Sequence, residues 1–366
     1  MKFNKITMQD IIGDLPDCHQ VNFMKDFNNR SFDLFIQAVG FENRTVGIAA
    51  QLSKLPNFKV SEAILIRYNT NIEDNVFYEE MLLNYINRFT EKIIFFTFDE
   101  QISSTINHKL NYLKNNQPLN ILVDISSFSS GLILSLIRIL LFSNNNIYIV
   151  YTEGEIYHPT DTEFEIILDE KHDNHSLYQT KGIEHVKISP DYNGGTKENQ
   201  DLVISFPSFR AERTYSIIAF IDDLILKHRE RNRIIWIIGE PHMDEIISEK
   251  RMSIQKQLNR ISSEDKVYSV STLDYKKTLI TLDHIYNELF SKYHINISDL
   301  GSKMQSLGIA LFANLRRDVT VFYAEPKKYN PAHYSDGIKD YWAIDFGNTQ
   351  QLLDRLFRVD LIEELL

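Results

Sequence analysis

The segment from Ile297 to Leu315, ISDLGSKMQSLGIALFANL, brings together residues suited to holding an anion. Asp299 closes an apolar run, Gly301 and Ser302 form a turn, and Lys303 stands where a helix would begin. Backbone N–H groups at a helix start attract negative charge, and a lysine beside them adds a full positive one. Ser302 and Ser306 offer hydroxyl donors. The plainer reading is an ordinary β–α turn with a serine cap and a solvated lysine. An earlier segment, VDISSFSSGLILSL, has the same layout without the lysine: Asp124, then Ser126, Ser127, Ser129 and Ser130.

Two more pairs of segments carry charged or aromatic groups. GFENRT places Glu42, Arg44 and Thr45 after an apolar run, and SFRAERT places Arg210, Glu212, Arg213 and Thr214 after another. An arginine there can grip a phosphate while the glutamate orients it, or the two can form an internal brace. YTEGEIYHP (Tyr151–Pro159) and YAEPKKYNP (Tyr323–Pro331) share Tyr, Glu, Tyr and Pro at identical spacing. Tyr323, Tyr329, Tyr151 and Tyr157 could stack on a base, or simply close a sheet edge. Lys327 and Lys328 correspond to Glu155 and Ile156, so the later segment is basic where the earlier one is not.

These segments need a scaffold, and the chain alternates short apolar strands with amphipathic stretches, the pattern of a parallel sheet covered by helices. Strands are expected at Asp33–Val39, Ala63–Tyr68, Lys92–Phe98, Asn120–Ile125 and Asn146–Tyr151. A second set is expected at Asp201–Phe206, Ile234–Gly239, Lys266–Val270, Ile295–Ser298 and Val319–Tyr323. Helical patterns run at about 75–89, 101–114, 129–142, 214–227, 243–261, 276–292 and 303–315. The three matched pairs of segments fall in the same order relative to both strand sets, the third being FEIILDE (Phe164–Glu170) with YWAIDFG (Tyr341–Gly347), each read as a sixth strand. The chain is therefore an α/β protein of two tandem Rossmann-like units related by duplication. A lead-in spans 1–30, with a short helix around Met8–Leu15, the first unit 31–170, a polar linker 171–200 and the second unit 201–366. In such sheets ligands bind beyond the carboxyl ends of the strands, where all the segments above lie.

DLGSKMQSLGIALF resembles the turn of CARF domains, Rossmann-like sensors of cyclic oligoadenylates. Gly301, Ser302, Lys303, Met304, Leu307 and Gly308 occupy matching places, with one residue fewer in the turn and Ser in place of Thr. CARF domains pair around one ligand, and the related SAVED domain fuses two such units in one chain. The resemblance implies a sensor of a nucleotide or cyclic oligonucleotide in prokaryotic antiviral defence. Ligand contacts would then come from Asp299, Gly301, Ser302, Lys303, Ser306, Arg210, Arg213, Tyr323 and Lys327 of the second unit. Asp124, Ser126, Ser127, Ser129, Glu42 and Arg44 would contribute from the first.

Composition sets the limits. With 43% hydrophobic and 24% charged residues the chain reads as globular, and its single cysteine, Cys18, excludes a disulfide framework and fits a reducing, cytoplasmic compartment. The formal charge of −11 argues against duplex nucleic acid as a partner and confines any anion to a local pocket. No apolar run is long enough to span a membrane. No resident cofactor or metal is expected: His172, Asp173 and His175 lie in the polar linker, and GGTK at Gly194–Lys197 precedes a strand and not a helix. SFSSG at Ser127–Gly131 has the look of a nucleophile elbow, but no later Asp and His are placed for a triad. The leading expectation is a binding protein whose output passes through a partner protein or a change in self-association. The alternatives are a nucleotide-processing enzyme, either a phosphodiesterase or a glycosidic-bond hydrolase using Glu42, Asp124, Asp299 or Glu325, and a structural subunit of a defence complex.

Overall fold

Ile, Val and Phe dominate the strands because side chains must be buried on both faces of a parallel sheet. The computed structural model describes residues 12–356 apart from 14, 115–116, 169–176, 196–197 and 229. In the first unit β1 (Ser31–Ala38), β2 (Lys59–Arg67), β3 (Ile93–Thr97), β4 (Asn120–Asp124) and β5 (Asn146–Thr152) lie in the order β3-β2-β1-β4-β5, all parallel. The polar linker contributes β6 (His185–Ile188). In the second unit β7 (Gln200–Phe206), β8 (Ile234–Glu240), β9 (Lys266–Ser271), β10 (Tyr293–Asp299) and β11 (Thr320–Glu325) repeat that order as β9-β8-β7-β10-β11. In both sheets the strand order reverses between the first and fourth strands, which opens a crevice at their carboxyl ends.

The edges are closed by exchange. β12 (Tyr341–Asn348) belongs by sequence to the second unit but pairs antiparallel with β5 in the first sheet, Tyr341 opposite Thr152. A short strand at His19–Gln20 covers its outer side. β6 closes the second sheet by pairing antiparallel with β11. Ser335–Asp336, on the way to β12, pairs with Ile156–Tyr157 of the first unit.

Helices α1 (Arg44–Leu52), α2 (Ile72–Ile86) and α3 (Ile102–Leu113) cross over between the strands of the first unit. The apolar α4 (Ser130–Phe142) is buried along most of its length, and its partner is α10 (Lys303–Leu315) of the second unit, buried from Met304 to Leu315. One hydrophobic cluster runs through both helices and both sheets, taking in Ile36, Leu134, Ile204 and Ile309. The apolar helix is thus spent on the contact between units and is not an exposed docking face.

One expected strand is a helix. Phe164–Glu170 was expected as a sixth strand, but α5 covers Asp161–Leu168, and Phe164 is buried within it. The cause is a capping box: the Glu163 carboxylate accepts from the Thr160 N–H at 2.5 Å, and Thr160 Oγ1 accepts from the Glu163 N–H at 3.4 Å. Further helices are α6 (Ala211–Ile221), α7 (Asp223–Lys227), α8 (Glu245–Leu258), α9 (Tyr275–Leu289) and α11 (Thr349–Leu356), with a single helical turn at Phe23–Asp26 before β1. Of the expected helix at Met8–Leu15, only Ile12 and Gly13 are described as helical, residues 8–11 and 14 lying outside the described residues. His172, Asp173, His175, Thr196 and Lys197 also lie outside them.

Candidate functional site

The carboxyl ends of the two sheets face each other across a single cavity of about 260 Å³. Ser129, Ser130, Arg44 and Tyr151 line it from the first unit, and Asp299, Gly301, Ser302, Lys303, Arg213 and Tyr323 from the second. Ser127 and Glu42 line a smaller adjoining pocket that shares Lys303. The Ser126–Ser130 and Gly301–Lys303 turns therefore open onto one shared space. Their helices also touch, Ser130 Oγ lying 3.2 Å from Ser306 Oγ.

Each turn is built by its own cap. In α10, Ser302 Oγ accepts from the Gln305 N–H at 3.1 Å, and Gln305 Oε1 accepts from the Ser302 N–H at 2.8 Å. The Ser302 hydroxyl donates to the Thr272 carbonyl at 2.7 Å, tying the turn to the loop after β9. In α4, Ser129 Oγ accepts from the Leu132 N–H at 3.2 Å, and Tyr68 Oη takes the Ser129 N–H at 2.9 Å. Aligning the two N-caps makes Ser130 the counterpart of Lys303.

The two arginines after the first strands differ in their surroundings. Arg44 is held by Glu42, Nη2 to Oε1 at 2.8 Å, with both side chains nearly inaccessible, and its Nη1 donates to the Tyr151 hydroxyl at 3.1 Å. That is the internal brace. In the second unit Glu212 pairs instead with Arg210 at 2.6 Å, and Arg210 also donates to the Thr180 carbonyl. Among the described residues Arg213 makes one hydrogen bond, Nη2 to the Ala324 carbonyl at 2.8 Å, and its buried Nε has no partner there. Burial pulls its pKa down.

Lys303 is the second uncompensated cation. Burial, and then repulsion from Arg44, lower its pKa to about 8, with Glu42 opposing. Its Nζ lies 6.0 Å from the Tyr334 ring centroid, in reach of a cation–π contact. Tyr334 packs with Phe41 and Tyr329, centroids 5.3 Å and 5.8 Å away. Arg251 of α8 completes the set, with Nη1 donating to the Pro159 carbonyl at 3.2 Å and its guanidinium against Phe164 and Phe209.

Two of the acidic groups at the cavity, Glu153 and Glu325, are already engaged. Glu153 accepts from Trp342 Nε1 at 2.9 Å and Lys339 at 3.3 Å, and Glu325 meets Lys187 at 3.0 Å. Asp299 is fully buried, and burial pushes its pKa up to about 7 despite bonds from Ser306 and the Gly301 N–H. Among the described residues no carboxylate lies within 4.0 Å of the Arg213, Arg251 or Lys303 charge. The cavity is thus locally electropositive inside an acidic protein.

Several expected contacts lie elsewhere. Lys327 is exposed and packs beside Gly182, away from the cavity wall, and Arg210 is spent on Glu212 and Thr180. Ser126 and Asp124 are buried behind the first turn, the Ser126 hydroxyl bonded to the Asp124 carboxylate. Tyr323 packs its ring against Gly131, where a Cβ would come within 2.8 Å. Arg251, Gln305 and Tyr334 were not expected at the site. Tyr334 follows the Tyr323–Pro331 segment closely, and Arg251 shares the buried face of α8 with Ser248, Ile254 and Gln255, a spacing legible as a helix face.

No protein family matches the sequence, and no curated protein matches it. Among solved structures, a type III CRISPR defence DNA nuclease activated by cyclic oligoadenylate aligns with a TM-score of 0.48 at 7% identity, covering 84% of this chain and 68% of that one. A putative universal stress protein from Pseudomonas aeruginosa UCBPP-PA14 aligns with a TM-score of 0.24 at 10% identity, covering 84% of this chain and 96% of that one. The cytoplasmic domain of a prokaryotic cation chloride cotransporter gives 0.24 at 11% identity, covering 83% and 99%. Likenesses this distant add nothing to the geometry of the cavity.

Proposed function

We propose that the protein is a sensor that binds a nucleotide-derived anion, of the cyclic oligonucleotide class, in the cavity between its units. The observation that carries this reading is the pair Arg213 and Lys303: two half-buried cations, without carboxylate partners among the described residues, that both line the shared cavity. Burying a charge without a partner is costly, and a bound phosphate would offset that cost with charge-assisted hydrogen bonds. Ser129, whose hydroxyl accepts from the Leu132 N–H and keeps its own proton, stands beside them as a neutral donor, and the Tyr329 and Tyr334 rings as faces for a base. The resemblance of the Gly301–Lys303 turn to CARF domains makes cyclic oligoadenylates the first probes and antiviral defence the expected setting. Output would pass through a partner protein or through self-association.

Isothermal titration with cyclic oligoadenylates, cyclic dinucleotides and linear mononucleotides tests the proposal. Binding of one ligand per chain, weakened at least about tenfold by Lys303→Ala and by Arg213→Ala, is expected. No binding across the panel, or binding indifferent to both changes, overturns it.

One observation favours a second reading, a nucleotide-processing enzyme. Asp299 lines the cavity with Oδ2 unpartnered and a pKa near 7, the condition of a general acid or base at neutral pH. Asp124 shows the same burial, the same unpartnered oxygen and the same shift without lining the cavity, which favours a structural origin for both. Chromatography of the panel nucleotides after incubation separates the two readings, since a sensor returns them intact.

A further inference from the structure

Outside the anion-binding wall, two histidines and a glutamate from different parts of the chain converge. His158 follows the first unit's Ile156–Tyr157 strand, Glu163 lies in the first turn of α5, and His333 comes from the short turn Pro331–His333 of the second unit. His158 Nδ1 is 2.7 Å from one Glu163 oxygen and His333 Nδ1 is 2.6 Å from the other. One ligand atom from each residue lies within 4.8 Å of the other two. The two imidazole rings stand edge to face, at 88° with centroids 5.6 Å apart.

The support around the cluster is what a metal site requires. The other nitrogen of His158 faces the Asp336 carboxylate at 3.0 Å, the backing that fixes a ligating imidazole's orientation and raises its basicity. The Thr160 N–H holds Glu163 at 2.5 Å, so this carboxylate is positioned by the capping box. The side chains of His158, Glu163 and His333 are 12%, 14% and 25% exposed, sheltered but open enough for an ion to reach. We propose that His158, Glu163 and His333 form a binding site for one divalent zinc-class ion, held across the junction of the two units. Two imidazole nitrogens and a carboxylate oxygen are a recurrent donor set for tetrahedral zinc, with water as the fourth ligand. The ion would fasten the segment carrying His333 to the first unit at the rim of the cavity, which His158 helps to line. The site stands on its own geometry, whatever the cavity holds.

The test is zinc binding by the full chain, read by competition with a chromophoric chelator and by bound metal per chain after gel filtration. One zinc per chain is expected, with affinity reduced about 100-fold or more by His333→Ala and by Glu163→Gln, and 10–100-fold by Asp336→Asn. His185→Ala, on the exposed strand β6, is expected to leave it unchanged. Cobalt substitution should give the visible absorption of a four-coordinate site, lost in His333→Ala. Failure of the unaltered protein to retain stoichiometric zinc, or retention by both His333→Ala and Glu163→Gln, overturns the proposal and leaves the cluster a hydrogen-bonded clasp.

Discussion

Asp124 and Asp299 are counterparts: each ends the fourth strand of its unit, each is fully buried, and each has one carboxylate oxygen bonded to a serine hydroxyl and the other without a partner. Burial raises both to about 7, above their ordinary value of 3.8. The folded state therefore holds protons that the unfolded chain releases, and stability falls as pH rises from about 4 towards 7 and levels off above that. Asp124→Asn should flatten this dependence and raise stability at pH 8 relative to the unaltered protein. Denaturant midpoints across that range check it.

Lys303 sits near its own midpoint, lowered to about 8 by burial and by Arg44. An anion bound beside it would favour the charged form, so binding at pH 8 should take up a fraction of a proton per chain. Affinity should decline as pH rises past 8. Titration calorimetry in buffers of different ionisation enthalpy measures the uptake, and Lys303→Met should abolish it.

The two arginines predict opposite signs. Glu42→Ala strands the Arg44 guanidinium without its carboxylate and should cost about 3–5 kcal/mol of stability. Arg213→Met removes a half-buried charge that has no carboxylate partner among the described residues, so the ligand-free protein should be as stable or more so while anion binding is lost. Chemical denaturation paired with titration of the same samples gives both readouts.

Gly308 lies where α10 meets α9, and an added Cβ would come within 2.7 Å of the Tyr275 carbonyl oxygen and 2.8 Å of Thr278. Because one contact is backbone, the helices must separate to accept it. Gly308→Ala should cost about 1–3 kcal/mol and loosen the Ser302–Gln305 cap. A lowered melting temperature with weakened anion binding is expected.

Much of this was legible in the residue pattern. The ten parallel strands were expected because runs rich in Ile, Val and Phe, apolar on both faces, have few alternatives. Lys303 fell at the first position of α10, as its turn suggested. The pattern stopped short where local sequence does not encode partners. Nothing in YWAIDFG says that it joins the first sheet, since an edge strand reads alike beside β5 or β11. Arg44 and Arg213 share a motif, yet only the fold shows that Glu42 turns to its arginine while Glu212 turns to Arg210. α1 was passed over because Thr45, Val46 and Gly47 weaken a helical signal at its start. The His158–Glu163–His333 cluster could not be seen along the chain, Glu163 and His333 being 170 residues apart.

β12 places the closing edge of the first sheet nearly two hundred residues beyond β5. During synthesis the first unit waits for that strand with the β5 edge unpaired, while the second unit is still being made. At ~5–20 residues per second the wait lasts on the order of ten seconds or more. An open edge is a template for foreign strands, so the nascent first unit should need shielding that the finished chain does not. Once threaded, β12 makes the two units topologically dependent: neither can be cut away as a self-sufficient module.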